Sequence, residues 1–184
     1  MPRCKSCKTK FEPKFFLQKF CLGTEQCKVD ATMFGIAEVK KKSERDWQKE
    51  KKVLKEKLKT HKDYLKELQI VFNTYIRLRD INKGCISCGR SLVGVKFDAG
   101  HFYSVGGNPA LRFNENNVHG QCVHCNRDKH GNLLEYAERL PERIGQIRFD
   151  VLKMERNNVL KPSIQELIAR TAHYKSLIKI LSEK

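Results

Sequence analysis

Cys85-Ile86-Ser87-Cys88-Gly89 and, further along, Cys122-Val123-His124-Cys125-Asn126 decide how this chain is read. A Cys-x-x-Cys pair is too tightly spaced for ordinary structural bridging, but it hands two thiolates to one tetrahedral zinc, and a glycine after the second cysteine permits the turn. Two such knuckles supply all four ligands of a structural site and leave no open position for a substrate. Cys85, Cys88, Cys122 and Cys125 are therefore expected to hold zinc as a clamp. Any chemistry must come from the residues between and just after them.

Working outward, the other cysteines are Cys4 and Cys7, then Cys21 and Cys27. Between them lies Lys10-Phe11-Glu12-Pro13-Lys14-Phe15-Phe16, too short to fold without a metal staple. Residues 1–30 are expected to form a small zinc finger or ribbon. The pair Cys21 and Cys27 is more widely spaced than a usual knuckle, which leaves a redox or free-thiol role as the alternative. With two four-cysteine sites, all eight cysteines are accounted for.

Over residues 31–80 there is no proline, and Trp47, Leu54, Leu58, Leu65, Leu68, Phe72 and Tyr75 recur in steps of three, four or seven. That periodicity predicts one long amphipathic helix. From Glu38 to Glu67 it carries twelve Lys/Arg against seven Asp/Glu, while the whole chain carries +16 over 184 residues, so the basic character is not confined to the helix. Such a surface repels itself and favours a polyanionic partner, nucleic acid first. The apolar stripe suits either packing on its own domain or a coiled-coil seam between two copies, and spacing does not choose between them. No apolar run reaches transmembrane length and Met1-Pro2-Arg3-Cys4 is no signal peptide, so a soluble, cytoplasmic protein with no membrane partner is expected. Past the central block, Pro141-Glu142 reads as a fresh helix start, and Ser163 with Glu166 as a capping box before a last apolar-periodic run, giving packing helices over 141–184.

The central block, residues 81–140, holds the candidates for chemistry. Phe97-Asp98-Ala99-Gly100-His101-Phe102-Tyr103 alternates like the first strand of a hairpin and is followed by a Gly106-Gly107-Asn108-Pro109 loop. An isolated histidine is more often structural than catalytic. His101, however, keeps company with Asn117, with Asn126 directly after the second knuckle, and with Lys129 three residues later. His119 and His124 have the blander reading. Arg112, Arg127, Lys129 and His130 read as a basic rim for phosphates.

The order Cys-x-x-Cys, His101, Asn117, Cys-x-x-Cys-Asn126-x-x-Lys129 resembles an HNH nuclease motif in its HNN form. More narrowly, Asp98-Ala-Gly-His-Phe102, Leu111-Arg-Phe-Asn-Glu-Asn-Asn-Val-His119, Gln121-Cys-Val-His-Cys-Asn126 and Lys129-His-Gly-Asn132 are similar to the phage NinG or Rap recombination nucleases. The N-terminal cysteine cluster, the Lys-rich helix and the Arg143-Ile-Gly145 stretch fit the same family. The resemblance implies that His101 polarises the attacking water, that Asn117 holds the loop and His101 in place, and that Asn126 binds a divalent ion, magnesium or manganese, distinct from zinc. The broader class often puts a metal-binding acid or histidine directly before the base. Here that position is Gly100, so Asp98 is the expected second ligand, reaching the ion through a bulge, with orientation of His101 as its alternative role.

The expected fold is α+β: a zinc-stapled ββα-metal core, an N-terminal zinc finger, a long basic helix and C-terminal helices. The expected activity is metal-dependent hydrolysis of DNA, and the resemblance implies branched recombination intermediates such as Holliday junctions and D-loops, with recombination proteins among the partners. The rivals are a zinc protein that grips DNA without cutting it, a general HNH nicking endonuclease and, more weakly, a zinc-dependent protein-interaction module. Charge and cysteines suit the first rival as well, which predicts binding indifferent to magnesium and no loss on replacing His101, whereas the interaction module leaves the Asn117–Asn126 spacing and the positive charge unexplained.

Overall fold

The helical run before the central block is two helices, not one. In the computed structural model, which describes residues 1–183, α1 spans Glu25–Lys57 and α2 spans His61–Asp80. Thr24 opens α1 by accepting from the Cys27 N–H at 3.2 Å, with Glu25 in the first turn and Lys55 and Lys57 in the last, each charge complementing the helix dipole. The break at 58–60 comes from a second N-terminal signal. The Thr60 N–H and hydroxyl both donate to the Asp63 carboxylate, at 2.9 and 2.7 Å, a capping box built with Asp. A new helix start inside a periodic run ends the old helix, and periodicity alone does not register it.

This break divides the apolar stripe. Leu68, Phe72, Tyr75 and Ile76 of α2 are buried in the largest core, whereas Trp47, Leu54 and Leu58 are exposed. The chain forms two compact units, Met1–Leu58 and the part from Lys59 onward. The boundary expected at residue 30 falls inside α1, because Cys27 sits in that helix's first turn. The N-terminal cysteine cluster and α1 are one unit.

In the first unit an isolated antiparallel bridge joins Arg3 to Lys10, and Cys4, Phe20 and Cys27 are buried with Phe11 and Phe34 packed against them. Beyond the bridge, the described residues of this unit form turns and the one helix.

The second unit has mixed α+β architecture around a two-stranded sheet. Strands β1 (Phe97–His101) and β2 (Val118–Cys122) pair antiparallel one to one, from Phe97 opposite Cys122 to His101 opposite Val118. The bulge expected to swing Asp98 toward an ion is absent from this register. A π-helical turn, His124–Asp128, follows β2, and then come α3 (Leu133–Ile144), α4 (Gln146–Glu155) and α5 (Ile164–Ser182). Pro141 is not a helix start. It lies within α3, whose Tyr136 and Leu140 are wholly buried, and the helix ends instead at Gly145, where φ is +87°. The Ser163–Glu166 capping box forms as expected, with the Glu166 N–H donating to Ser163 Oγ at 3.2 Å and the Ser163 N–H to the Glu166 carboxylate at 2.6 Å.

Two apolar clusters flank the hairpin. On one side α2 and α5 enclose Phe113 and Val118, with Phe72 stacked edge-on against Phe113 and Tyr174 at 5.7 and 5.0 Å. On the other side Ile86, Leu111, Tyr136, Leu140, Phe149 and Leu152 pack together. A single Leu68→Ala or Leu140→Ala change would cost about 2–5 kcal/mol, since each is fully buried. No helix among the described residues is long and apolar enough to cross a membrane.

Candidate functional site

The two cysteine tetrads assemble as the spacing predicts. In each, the four Sγ atoms lie within 4.8 Å of one another. Cys4 and Cys27 are 3.9 Å apart, Cys7 and Cys21 3.7 Å, and Cys88 and Cys122 3.8 Å. Tetrahedral zinc with bonds of about 2.3 Å needs sulfurs about 3.8 Å apart, whereas a disulfide needs about 2.05 Å. The donor set and its geometry therefore fit two zinc ions. Main-chain N–H groups support the sulfurs: Cys21 donates to Cys4 at 3.3 Å, Cys122 to Cys85 at 3.4 Å and Cys125 to Cys122 at 3.4 Å. Burial pushes the Cys4 thiol up, but N–H donors from Cys21, Cys7 and Ser6 outweigh it and bring the group down to about 6, toward the thiolate that zinc requires. In the second tetrad Gly89, at φ +73°, makes the knuckle turn that any other residue would strain.

This second tetrad pins the start of the loop at 85, the end of β2 and the π-helical turn to one point. The pinning matters because β1 ends in His101 and the turn carries Asn126. Both side chains line one cleft of about 560 Å³, together with Tyr103, Ser104, Asn108 and His130. His101 is half-buried, and its Nε2 lies 3.0 Å from the Arg112 carbonyl oxygen. A carbonyl only accepts, so Nε2 carries the ring proton and Nδ1 keeps its lone pair. Burial holds this imidazole below the ordinary histidine range, opposed by that hydrogen bond and aided by the Arg112 charge. The neutral form is the one a base needs.

Asn117 is completely buried and works as a loop clamp. Its Oδ1 accepts from the Tyr103 N–H at 2.8 Å, and its Nδ2 donates to the Tyr103 and Leu111 carbonyls at 3.0 and 3.1 Å. The Phe102 N–H donates to the Asn117 carbonyl at 2.9 Å, so the residue after His101 is tied to the same asparagine. These hydrogen bonds of the side chain all go to main-chain atoms of the loop.

Asp98 is engaged elsewhere than expected. Both its oxygens take hydrogen bonds from Arg127, at 2.7 and 2.8 Å, and Oδ2 also accepts from Asn126 Nδ2 at 3.0 Å. The Arg127 contact, above the opposing effect of burial, holds its carboxyl below the usual range. Asp98 does not line the cleft that His101 and Asn126 share. By occupying the Asn126 amide nitrogen it leaves Oδ1 as that residue's available oxygen.

The expected basic rim is divided. His130 lines the cleft, held at φ +48°. Lys129 is exposed beside it, where it ends the π-helical turn. Arg127 is bound to Asp98. Arg112 donates through Nε to Gln69 at 2.7 Å and stacks on Phe113, so it braces α2 against the loop. His124 is exposed, paired with Asp128 at 3.0 Å, and His119 is buried.

Two buried polar groups escaped the sequence reading. Gln121, fully buried, donates from Nε2 to Ser87 Oγ and to the Gly131 carbonyl, at 2.7 and 2.6 Å, and so links the first knuckle to the loop carrying His130. Asp80 at the end of α2 takes two 2.8 Å bonds from Arg79 and one of 2.9 Å from the Gly120 N–H, while Arg79 also reaches His119 Nδ1 at 3.1 Å. This group anchors α2 to β2. Only the three-dimensional packing brings residues so far apart in sequence together, and no local spacing announces them.

Comparison with known proteins finds relatives that match the chain over nearly its whole length. The family model described as Bacteriophage Lambda NinG protein matches residues 1–184. Protein ninG of Escherichia phage lambda is 38% identical over 97% of this chain and 92% of its own length. Protein ninG of Salmonella phage P22 is 36% identical over 98% and 94%, and that of Escherichia phage 933W is 37% identical over 97% and 92%. No solved structure matches. With the family model matching residues 1–184 and relatives 36–38% identical over nearly the whole chain, the chain belongs to the NinG family.

Proposed function

We propose that this protein is a metal-dependent DNA endonuclease whose hairpin, π-helical turn and α3 act as a ββα-metal core of the HNH type. The observation that carries this reading is the shared cleft of His101 and Asn126, with the His101 lone pair left free by the Arg112 carbonyl. His101 Nδ1 takes a proton from a water as that oxygen bonds to phosphorus. The P–O3′ bond breaks, and the products are a 5′-phosphate and a 3′-hydroxyl, the latter protonated from solvent. Asn117 holds the loop that follows the base, and Asp98 orients Asn126 and Arg127.

The donors near His101 are oxygens, the Asn126 amide and the Ser104 and Asn108 side chains, which suit a hard ion that keeps most of its water, magnesium or manganese. When bound, such an ion stabilises charge on the phosphate and the departing oxygen. His130 and Lys129 then serve phosphates at the rim, a sequence-independent contact.

The charge of +16 supports DNA as the substrate. Resemblance to the phage recombination nucleases points to branched DNA. An α1 seam between two copies, through Trp47, Leu54 and Leu58, would put two such sites in one assembly, which could then address two strands of a branched substrate. One observation favours the rival in which DNA is bound and not cut: the cleft is lined by no carboxylate.

The deciding experiment compares cleavage of a synthetic four-way junction and a matched linear duplex, with and without magnesium, for the wild type and His101→Ala. Magnesium-dependent cutting of the junction that disappears in the variant is expected. Binding indifferent to magnesium, with no cutting by the wild type, would establish the rival. Equal cutting of both substrates would make it a general nicking enzyme.

A further inference from the structure

The first unit presents Phe15, Phe16 and Leu17 to solvent, 60%, 89% and 74% exposed, although its interior is already filled by Phe11, Phe20 and Phe34 around Cys4 and Cys27. Three consecutive large apolar residues on an outer turn oppose the hydrophobic effect. The turn is nevertheless held in shape. Gln18 is buried beneath it, accepting from the Lys14 N–H at 2.7 Å and donating to the Phe20 carbonyl at 2.7 Å, and the Gln18 N–H donates to the Phe15 carbonyl at 3.2 Å. Leu17 adopts φ +62°, a left-handed conformation unfavourable for leucine. A turn built at this expense, with its apolar side chains outward, is organised for contact.

The surroundings say with what. Residues 1–20 carry Arg3, Lys5, Lys8, Lys10, Lys14 and Lys19 against the one acid Glu12. Lys14 adjoins the aromatic pair, and Lys10 is exposed on the bridge strand. Aromatic faces set among cations suit a polyanion that itself offers flat aromatic surfaces, which is the chemistry of an unpaired DNA strand. A duplex hides those surfaces in its stack.

We propose that the Phe15-Phe16-Leu17 turn is a binding site for unpaired nucleobases, with the lysines beside it contacting the strand's phosphates. This rests on DNA being the protein's ligand but not on cleavage. It gives the N-terminal zinc unit a task of its own, selecting DNA that has single-stranded character. A lipid surface is the competing occupant, since exposed phenylalanines and lysines also suit an anionic interface. Three apolar residues with no amphipathic helix behind them make a weak anchor there.

The test uses the full, zinc-loaded chain and two fluorescein-labelled probes at fixed salt, a 20-nucleotide oligothymidylate and a blunt duplex of the same length. Phe15→Ala/Phe16→Ala should weaken oligothymidylate binding about tenfold or more, the scale of one lost base–aromatic stack. Duplex affinity should stay within about twofold, since phosphate contacts dominate there. Zinc content and circular dichroism should not change, because the removed rings are exposed. As a variant that keeps an aromatic face, Phe16→Trp in a Trp47→Phe background should retain affinity, and its fluorescence should be quenched by the oligonucleotide. Unchanged oligothymidylate affinity in the double variant, or equal losses on both probes, would overturn the proposal. So would loss of binding to phosphatidylserine vesicles with oligothymidylate binding intact. If the wild type binds neither probe, the DNA reading itself fails. If it binds both and the variant matches it, only this inference fails.

Discussion

His101 Nε2 lies 3.0 Å from the main-chain carbonyl oxygen of Arg112. The contact sets the tautomer of the imidazole by chemistry alone, because the oxygen has no proton to give. Arg112 in turn is braced by Gln69 on α2, so the orientation of the ring is linked to the α2–α5 core through two hydrogen bonds.

Replacing His101 by alanine should reduce cleavage by about 10²–10⁴-fold, the usual worth of a positioned general base, while DNA affinity stays within about twofold. A nicking assay run beside a binding assay reads both. Wild-type cleavage by the variant would remove this imidazole from the mechanism.

The pH profile follows from the same ring. Burial lowers its proton affinity, and the proposed base would act in its neutral form, so the cleavage rate should rise with pH through a midpoint below the ordinary histidine value of about 6.5 and then stay level. The sign for stability agrees. The unfolded chain binds this proton more readily, so the contribution is complete above about 6.5 and falls as the pH drops toward the folded value. A midpoint above 7 would contradict the structure.

Asp80 is wholly buried against a largely buried guanidinium. Burial opposes its charge, yet His119, Arg79 and the Gly120 N–H hold the carboxyl far below its usual range. Asp80→Asn should cost about 3–5 kcal/mol, because Arg79 would lose its counter-charge, and urea unfolding at pH 7 measures it. The stability due to Asp80 is present above about 3.9 and is lost only as the pH falls further toward the depressed folded value. Unfolding of the wild type already at pH 5 would therefore need another cause.

Zinc should be found at two ions per chain by elemental analysis, and Cys88→Ser should retain one. That variant should lose the cooperative melting of the second unit, since its tetrad closes the hairpin against the first knuckle. A folded, fully active Cys88→Ser protein would show that the tetrad is dispensable.

Gly100 stands against Gln121, where an added Cβ would collide with the Gln121 Oε1 atom. Gly100→Ala should destabilise the protein by about 1–3 kcal/mol as an overpacked strand. The double variant Gly100→Ala/Gln121→Ala should lose less stability than the sum of the two single losses, the sign of a shared space. Additive melting shifts would mean that the two residues do not compete for it.

The cysteine spacings, the strand signal over 97–103, which forms over Phe97–His101, and the Ser163–Glu166 box are legible because each signal is local. A knuckle, a strand and a helix cap are all specified within a few residues. The break between α1 and α2 is less legible, because periodicity continues through Thr60 while the capping box that stops the helix is short. Pro141 carries a start signal of its own, yet the burial of Tyr136 and Leu140 continues α3 past it.

By itself, then, the amino-acid order determined which side chains could bind zinc, where the hairpin begins, and that His101, Asn117 and Asn126 belong to one block. Tertiary structure alone decided what each of them faces. His101 meets a carbonyl eleven residues on in sequence, Asp98 pairs with Arg127 across the hairpin and π-helical turn, and Gln121 fills the space that Gly100 leaves. The reason is physical: a polar side chain is satisfied by whichever partner the packed chain brings within about 3 Å, and that partner is set by how the two apolar clusters and the zinc tetrad fold the hairpin back.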